Sequence, residues 1–153
     1  MSTQFLSGFG FFSALDEVEL QAILELTRTK NFEAGAEVLR EGDPNDTMFL
    51  VQSGSVEVLK IKDNKEILLG TIEANNFLGE MSLFYPASSS ASVRAIEKTC
   101  LLTIKHEDLL AFVKDRPEAG NKLLMDVLKV VCQRLKEIND RYGECLFWIA
   151  EQK

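Results

Sequence analysis

Between Asn31 and Ile104 the apolar pattern is broken again and again by turns, and that interruption most limits what this chain can fold into. Phe32 is followed by Gly35, and Val38-Leu39 by Gly42. Asp43-Pro44-Asn45-Asp46 is then a strong turn signal. Thr47 to Gln52 reads as a buried strand closing at Ser53-Gly54. Val56 and Val58, then Leu59 and Ile61, alternate with polar residues, but the phase flips between 58 and 59. A bulge there reconciles the two halves. Asp63-Asn64 turns the chain, Ile67 to Ile72 makes the next strand, and Ser92–Ala95 and Cys100–Ile104 read as two more. Short strands with glycine turns give a sandwich, roll or barrel. The expected fold is mainly β with flanking helices: a β-roll or double-stranded jelly roll of about eight strands.

The flanks are helical. Residues 1–15 are rich in Gly and Phe, and Phe9, Phe11, Phe12 and Leu15 are expected to pack as a cap. Asp16 looks like an N-cap with Glu19 as its capping-box partner. Leu20, Ile23, Leu24 and Thr27 follow at helical spacing, which predicts a helix over 17–27. Glu107 to Lys114 reads as a short helix, and Pro117 starts a long one. Along it run Leu124, Leu128, Val131, Leu135, Ile138, Tyr142, Cys145 and Ile149, in steps of four and three. That is a heptad seam. Gly143 is its weak point, since glycine in a helix interior costs about 1 kcal/mol relative to alanine. The seam is expected to make a parallel homodimer, because so long an apolar stripe would otherwise be an unusually large exposed patch.

One domain is the natural reading of 153 residues. It divides into a helical cap over 1–30, a β-roll over 31–105 and C-terminal helices over 106–150. The net charge of -7, from 17 basic and 24 acidic side chains, disfavours non-specific binding to nucleic acid or an anionic membrane. Cys100, Cys132 and Cys145 fit no zinc or redox spacing and are expected as reduced thiols. No secretion signal is visible, and no segment approaches the roughly 18 apolar residues of a membrane span. The expected compartment is the cytoplasm.

Phe77 to Ala95 is the stretch with ligand chemistry in it. Gly79 and Glu80 lead into a short apolar segment, Met81 to Tyr85. Pro86 breaks it, and a hydroxyl run follows at Ser88, Ser89, Ser90 and Ser92. Glycine lets backbone approach something closely, and amides opening a helical turn can hold an anion. His106 is the only histidine and, beside Glu107 and Asp108, is expected at the surface of a helix start. A metal-dependent cupin, which needs several histidines, is therefore a poor reading. No catalytic constellation and no metal site is expected, and the chain reads as non-catalytic.

Four motifs together carry a family resemblance: Phe32-Glu33-Ala34-Gly35, Leu39-Arg40-Glu41-Gly42-Asp43, Met48 to Val56, and Gly79-Glu80-Met81-Ser82-Leu83. On these residues the chain resembles the cyclic nucleotide-binding domain family over about Phe11 to Asp140. The resemblance implies a phosphate-binding cassette beginning at Gly79. It implies that Glu80 takes the ribose 2′-hydroxyl and that amides around Gly79 and Glu80, continuing through Met81 and Ser82, orient sugar and phosphate. It implies donors at Ser90, Ala91 and Ser92, and a final helix whose Ile138 and Asn139 form a lid. Counted without a gap, the family's phosphate-pairing arginine is replaced here by Ser89. Arg94, five positions later, lies within a strand.

Two functional expectations follow. The first is a regulatory sensor module that binds cyclic AMP or cyclic GMP weakly, since the arginine's charge-assisted hydrogen bonds are missing. It would act as a homodimer on a regulated protein in trans, not on nucleic acid, because no helix-turn-helix pattern follows the last helix. The second is a ligand-independent interaction and dimerisation module that retains only the fold.

Overall fold

The structure is a computed structural model and describes residues 3–63, 65–84 and 88–151, the side chain of Leu83 excepted. Asn64, Tyr85 and Pro86, named above as turn, segment end and break, lie outside the described residues. The chain opens with helix α1 (Thr3–Leu6), a single 3-10 turn (Gly10–Phe12) and helix α2 (Glu17–Leu26). The capping box is present at the start of α2. The Asp16 carboxylate accepts from the Glu19 amide, and the Glu19 carboxylate accepts from the Asp16 amide, each at 2.8 Å.

Eight strands follow among the described residues. They are β1 (Arg28–Phe32), β2 (Glu37–Leu39), β3 (Thr47–Ser53), β4 (Ser55–Lys62), β5 (Lys65–Glu73), β6 (Phe77–Leu78), β7 (Ser92–Ala95) and β8 (Thr99–Lys105). They form two antiparallel four-stranded sheets, ordered β1-β8-β3-β6 and β2-β7-β4-β5. Helix α3 (Met81–Phe84) interrupts the roll between β6 and β7. Helices α4 (His106–Asp115) and α5 (Pro117–Glu151) complete the chain. The architecture is the expected β-roll with flanking helices.

The predicted bulge is real, and the register locates it. Val58 pairs with Gly70 and Leu59 with Leu68, which leaves Leu69 as the extra residue, on β5. Val56 and Val58 both face the space between the sheets, because the register of β4 against β7 runs without a shift through Leu59. The first strand begins at Arg28, earlier than the texture change at Asn31. Its residues are mostly exposed, and pairing with β8 defines it.

Strand β3 explains how the core is shared. Phe49 and Val51 point between the sheets, where they meet Val56, Leu78, Val93 and Leu101. Met48 and Leu50 point to the opposite face, with Leu102 and Ile104 of β8. That outer face packs against Phe9, Phe12, Ile23, Leu109, Phe112 and Leu123 of the helices. A strand buried on both faces reads as a continuous apolar run, which is why 47–52 looks so uniform in sequence. The same packing lays α5 along the roll through Ala119, Gly120, Leu123, Asp126 and Val127.

Candidate ligand site

The cassette is fixed by one glycine. Gly79 has φ +84°, and a Cβ there would lie 2.5 Å from the Thr47 carbonyl oxygen. A side chain at this position meets both backbone strain and a backbone clash. The close approach lays the turn after β6 directly against β3, and Glu80 leaves the turn at the start of α3.

Hydrogen bonds brace both limbs. Ser82 Oγ donates to the Gly79 carbonyl at 3.2 Å and accepts from Asn45 Nδ2 at 3.1 Å. His106 Nε2 lies 3.2 Å from the same carbonyl, which sets it as the protonated nitrogen of the neutral ring. On the other limb the Gly42 amide donates to the Ser89 carbonyl at 2.9 Å, and the Ser89 amide donates to the Asp43 carbonyl at 2.8 Å. Ser92 Oγ accepts from the Glu41 amide at 2.9 Å. The strong turn signal at 43–46 thus serves as the base on which the cassette rests.

His106 corrects the sequence expectation. It is only 8% exposed, not a surface residue. Strand β8 ends as α4 begins, and that junction turns the ring inward beneath Gly79 while Lys105 reaches out to Asp46 at 2.7 Å. Burial holds the imidazole below its ordinary pKa. The Gly79 carbonyl and the Asp46 charge oppose that shift, and Lys105 adds slightly to it.

A second correction concerns charge. The sequence reading named no partner for the Glu80 carboxylate, which is buried at 8% exposure and accepts from Arg134 Nη1 of α5 at 3.0 Å. Arg134 Nη2 also donates to the Phe77 carbonyl, and its guanidinium carbon lies 4.7 Å from the centre of the Phe77 ring. A planar fork with several donors can make all three contacts at once. Arg94 cannot serve the cassette. It bonds Glu57 at 2.6 Å and Glu66 at 3.1 and 2.9 Å on the outside of the roll. Those two carboxylates, Glu66 foremost, hold its pKa well above the ordinary guanidinium value.

The remaining residues divide clearly. Gly79, Glu80, Ser82, Ala91 and Ser92 lie in the braced cassette, and Ala91 and Ser92 are buried. Met81 and Ser90 lie at its exposed lip, with Ser90 Oγ 3.8 Å from the Met81 sulfur. Ser89 Oγ is buried and has no hydrogen-bond partner among the described residues. Ile138 and Asn139 are exposed, and α5 meets the cassette one turn earlier, through Arg134. Nothing local in the sequence marks Arg134. Its one signal is its place beside Leu135 of the seam, seven residues before Arg141, which reaches the roll on the same side and donates to the carbonyl of the bulge residue Leu69.

A buried carboxylate on a glycine turn, covered by an arginine from a long neighbouring helix, defines a β-roll module with a helix-covered polar site. The family described as cyclic nucleotide-binding domain matches residues 29–116. The chain belongs to the cyclic nucleotide-binding domain family. It is 26% identical over 145 residues to a CRP-like cAMP-activated global transcriptional regulator of Mycobacterium tuberculosis, covering 94% of this chain and 63% of the regulator. The chain therefore spans less than two thirds of that relative's length. Among solved structures it resembles the catabolite activator protein of Thermus thermophilus, with TM-score 0.77, 26% identity, and 88% of this chain and 62% of that one covered. It also resembles the regulatory domain of Toxoplasma gondii PKA with cAMP, with TM-score 0.67, 28% identity, and coverage of 74% and 43%.

Proposed function

We propose that this chain is a non-catalytic regulatory module, a single domain over 1–153, that senses a cyclic nucleotide in the cytoplasm. The observation that carries the reading is Glu80. A carboxylate buried at the family's ribose position is neutralised by a residue of the final helix. A ribose 2′-hydroxyl that takes Glu80 Oε1 parts it from Arg134. Occupancy is thereby tied to the position of α5, and a ligand shifts that equilibrium by its differential affinity for the two positions. Gly79, Met81 and Ser82 frame the sugar side, Ser89, Ser90, Ala91 and Ser92 offer hydroxyl and amide donors to the phosphate, and Ile138 and Asn139 lie on the lid helix just beyond Arg134. Binding is weak because Ser89 brings no charge. The regulator and the PKA regulatory domain named above carry cyclic AMP in their names, and cyclic GMP names two related kinases, so both nucleotides are candidates.

The module pairs with a second copy through α5 and acts on a regulated protein in trans, without nucleic acid or membrane. Leu128, Leu135, Ile138 and Tyr142 are each more than half exposed, on a flank of the helix separate from the face that carries Leu123 and Arg134. Between Leu124 and Ile149 the two seam positions and the position after the second of them carry no charged residue. The added positions are Met125, Cys132, Asn139 and Leu146. An identical helix in parallel presents the same uncharged strip. This strip is also what favours the second reading, a ligand-independent dimerisation module.

Calorimetric titration of the full chain with cyclic AMP and cyclic GMP, beside Glu80→Gln, separates the two readings. Binding that weakens in Glu80→Gln supports the sensor. Heat from neither nucleotide removes it and leaves the interaction module.

A further inference from the structure

Phe77 makes contacts that nucleotide recognition does not use. Its ring is buried and meets Phe11 with centroids 4.3 Å apart and planes tilted by 58°. The Arg134 guanidinium lies over the same ring, and its Nη2 donates to the carbonyl oxygen of the same residue. Of the three contacts that hold Arg134 over the cassette, two therefore belong to Phe77 and only one to Glu80. Phe11 in turn belongs to the N-terminal aromatic cap, where its ring meets Phe9 edge-on and Phe12 at a tilt of 37°. The cap region grips α5 independently. Ser13 Oγ lies 3.5 Å from an Asp126 oxygen, and Lys122 bonds Glu19 at 3.1 Å.

We propose that Phe77 is a positioning residue of the ligand site. Its ring and carbonyl moor Arg134 against Glu80 and keep the site closed, and the aromatic cap sets that mooring through Phe11. The inference rests on the reading that a ligand competes with Arg134 for Glu80. A cation held over an aromatic face is stabilised most where water is excluded, and Phe77 supplies such a face. A site that is open in only a fraction of molecules binds with an affinity reduced by that fraction. Loosening the mooring therefore tightens ligand binding. A lesion that merely damages the core does the opposite.

The test uses the full chain and two variants. Phe77→Leu removes the ring and keeps the carbonyl. Phe11→Leu leaves Phe77 in place and removes only its support, so it serves if the first variant fails to fold. Two quantities are read: the dissociation constant for cyclic AMP, and the side-chain Nε–Hε resonance of Arg134, which the Phe77 ring shifts. The expected result is a dissociation constant lowered roughly threefold to tenfold in Phe77→Leu. Phe11→Leu shifts it the same way by less, and the Arg134 resonance moves toward the free-arginine position. A folded variant with unchanged or weaker affinity overturns the proposal. If no form binds cyclic nucleotide, the functional reading fails, and the resonance in Phe11→Leu, which keeps the Phe77 ring, alone judges the mooring. Movement supports it, and an unmoved resonance overturns it.

Discussion

Arg134 Nη1 lies 3.0 Å from Glu80 Oε1, although the two residues stand 54 positions apart in the chain. The pair joins the final helix to the one carboxylate of the cassette. It is mostly shielded, with side-chain exposures of 28% for Arg134 and 10% for Glu80. Removing the arginine leaves a buried charge with no partner. Arg134→Ala is therefore expected to cost about 1–3 kcal/mol of stability, the scale of hydrogen bonds to charged groups. Adding Glu80→Gln to that variant should recover part of the loss, because the stranded charge is gone. A double-mutant cycle by urea unfolding measures the coupling. Additive losses would show that the pair contributes nothing of its own.

Gly79→Ala tests the backbone on which the site is built. The strained φ and the 2.5 Å approach to the Thr47 carbonyl act together. The expected loss is at least about 1–3 kcal/mol, read as a lowered urea midpoint. A neutral substitution would mean that the turn can move away from β3 at no cost.

His106 predicts a pH dependence. As pH falls through about 6.5, the imidazole of the unfolded chain takes up a proton. The folded ring resists, because burial holds its pKa lower. Its contribution to stability is complete above the unfolded value and is lost as pH falls through the folded one. Unfolding midpoints measured from pH 7.5 to pH 5 should decline, and His106→Gln should flatten part of that decline. Identical slopes in both proteins would place the titration elsewhere.

Much of this was legible in the sequence for identifiable reasons. The capping box is local, and its residues carry their own signal, since Asp16 and Glu19 stand three apart. The phase flip at Val58-Leu59 marks where the register shifts, but the extra residue, Leu69, lies on the partner strand. The family motifs around Gly79 and Glu80 placed the cassette. Three features were hidden. Strand β1 is polar and exposed, so only its pairing with β8 marks it. The burial of His106 depends on which way one strand–helix junction turns, while its acidic neighbours suggest water. Arg134 reads as a solvated charge beside the seam, and only the lie of α5 along the roll carries it to Glu80. Local chemistry reports itself in sequence; a contact between distant elements does not.

The flank of α5 makes a prediction about assembly. If two copies pair in parallel through the seam, Cys145 faces its own counterpart. A mild thiol oxidant added to the dimer should then form a disulfide-linked pair, which Cys145→Ser abolishes and Cys132→Ser leaves intact. Leu135→Glu should shift sedimentation to the monomer. A Leu135→Glu protein that still sediments as a dimer would place the interface elsewhere.

The central claim is that the cassette holds a cyclic nucleotide weakly because Ser89 stands where a phosphate-pairing arginine belongs. Calorimetric titration of cyclic AMP into the unmodified chain and into Ser89→Arg tests it directly. The predicted result is measurable binding in the first and binding about tenfold to a hundredfold tighter in the second, the worth of one charge-assisted hydrogen bond. A variant that binds no more tightly than the unmodified chain would contradict it.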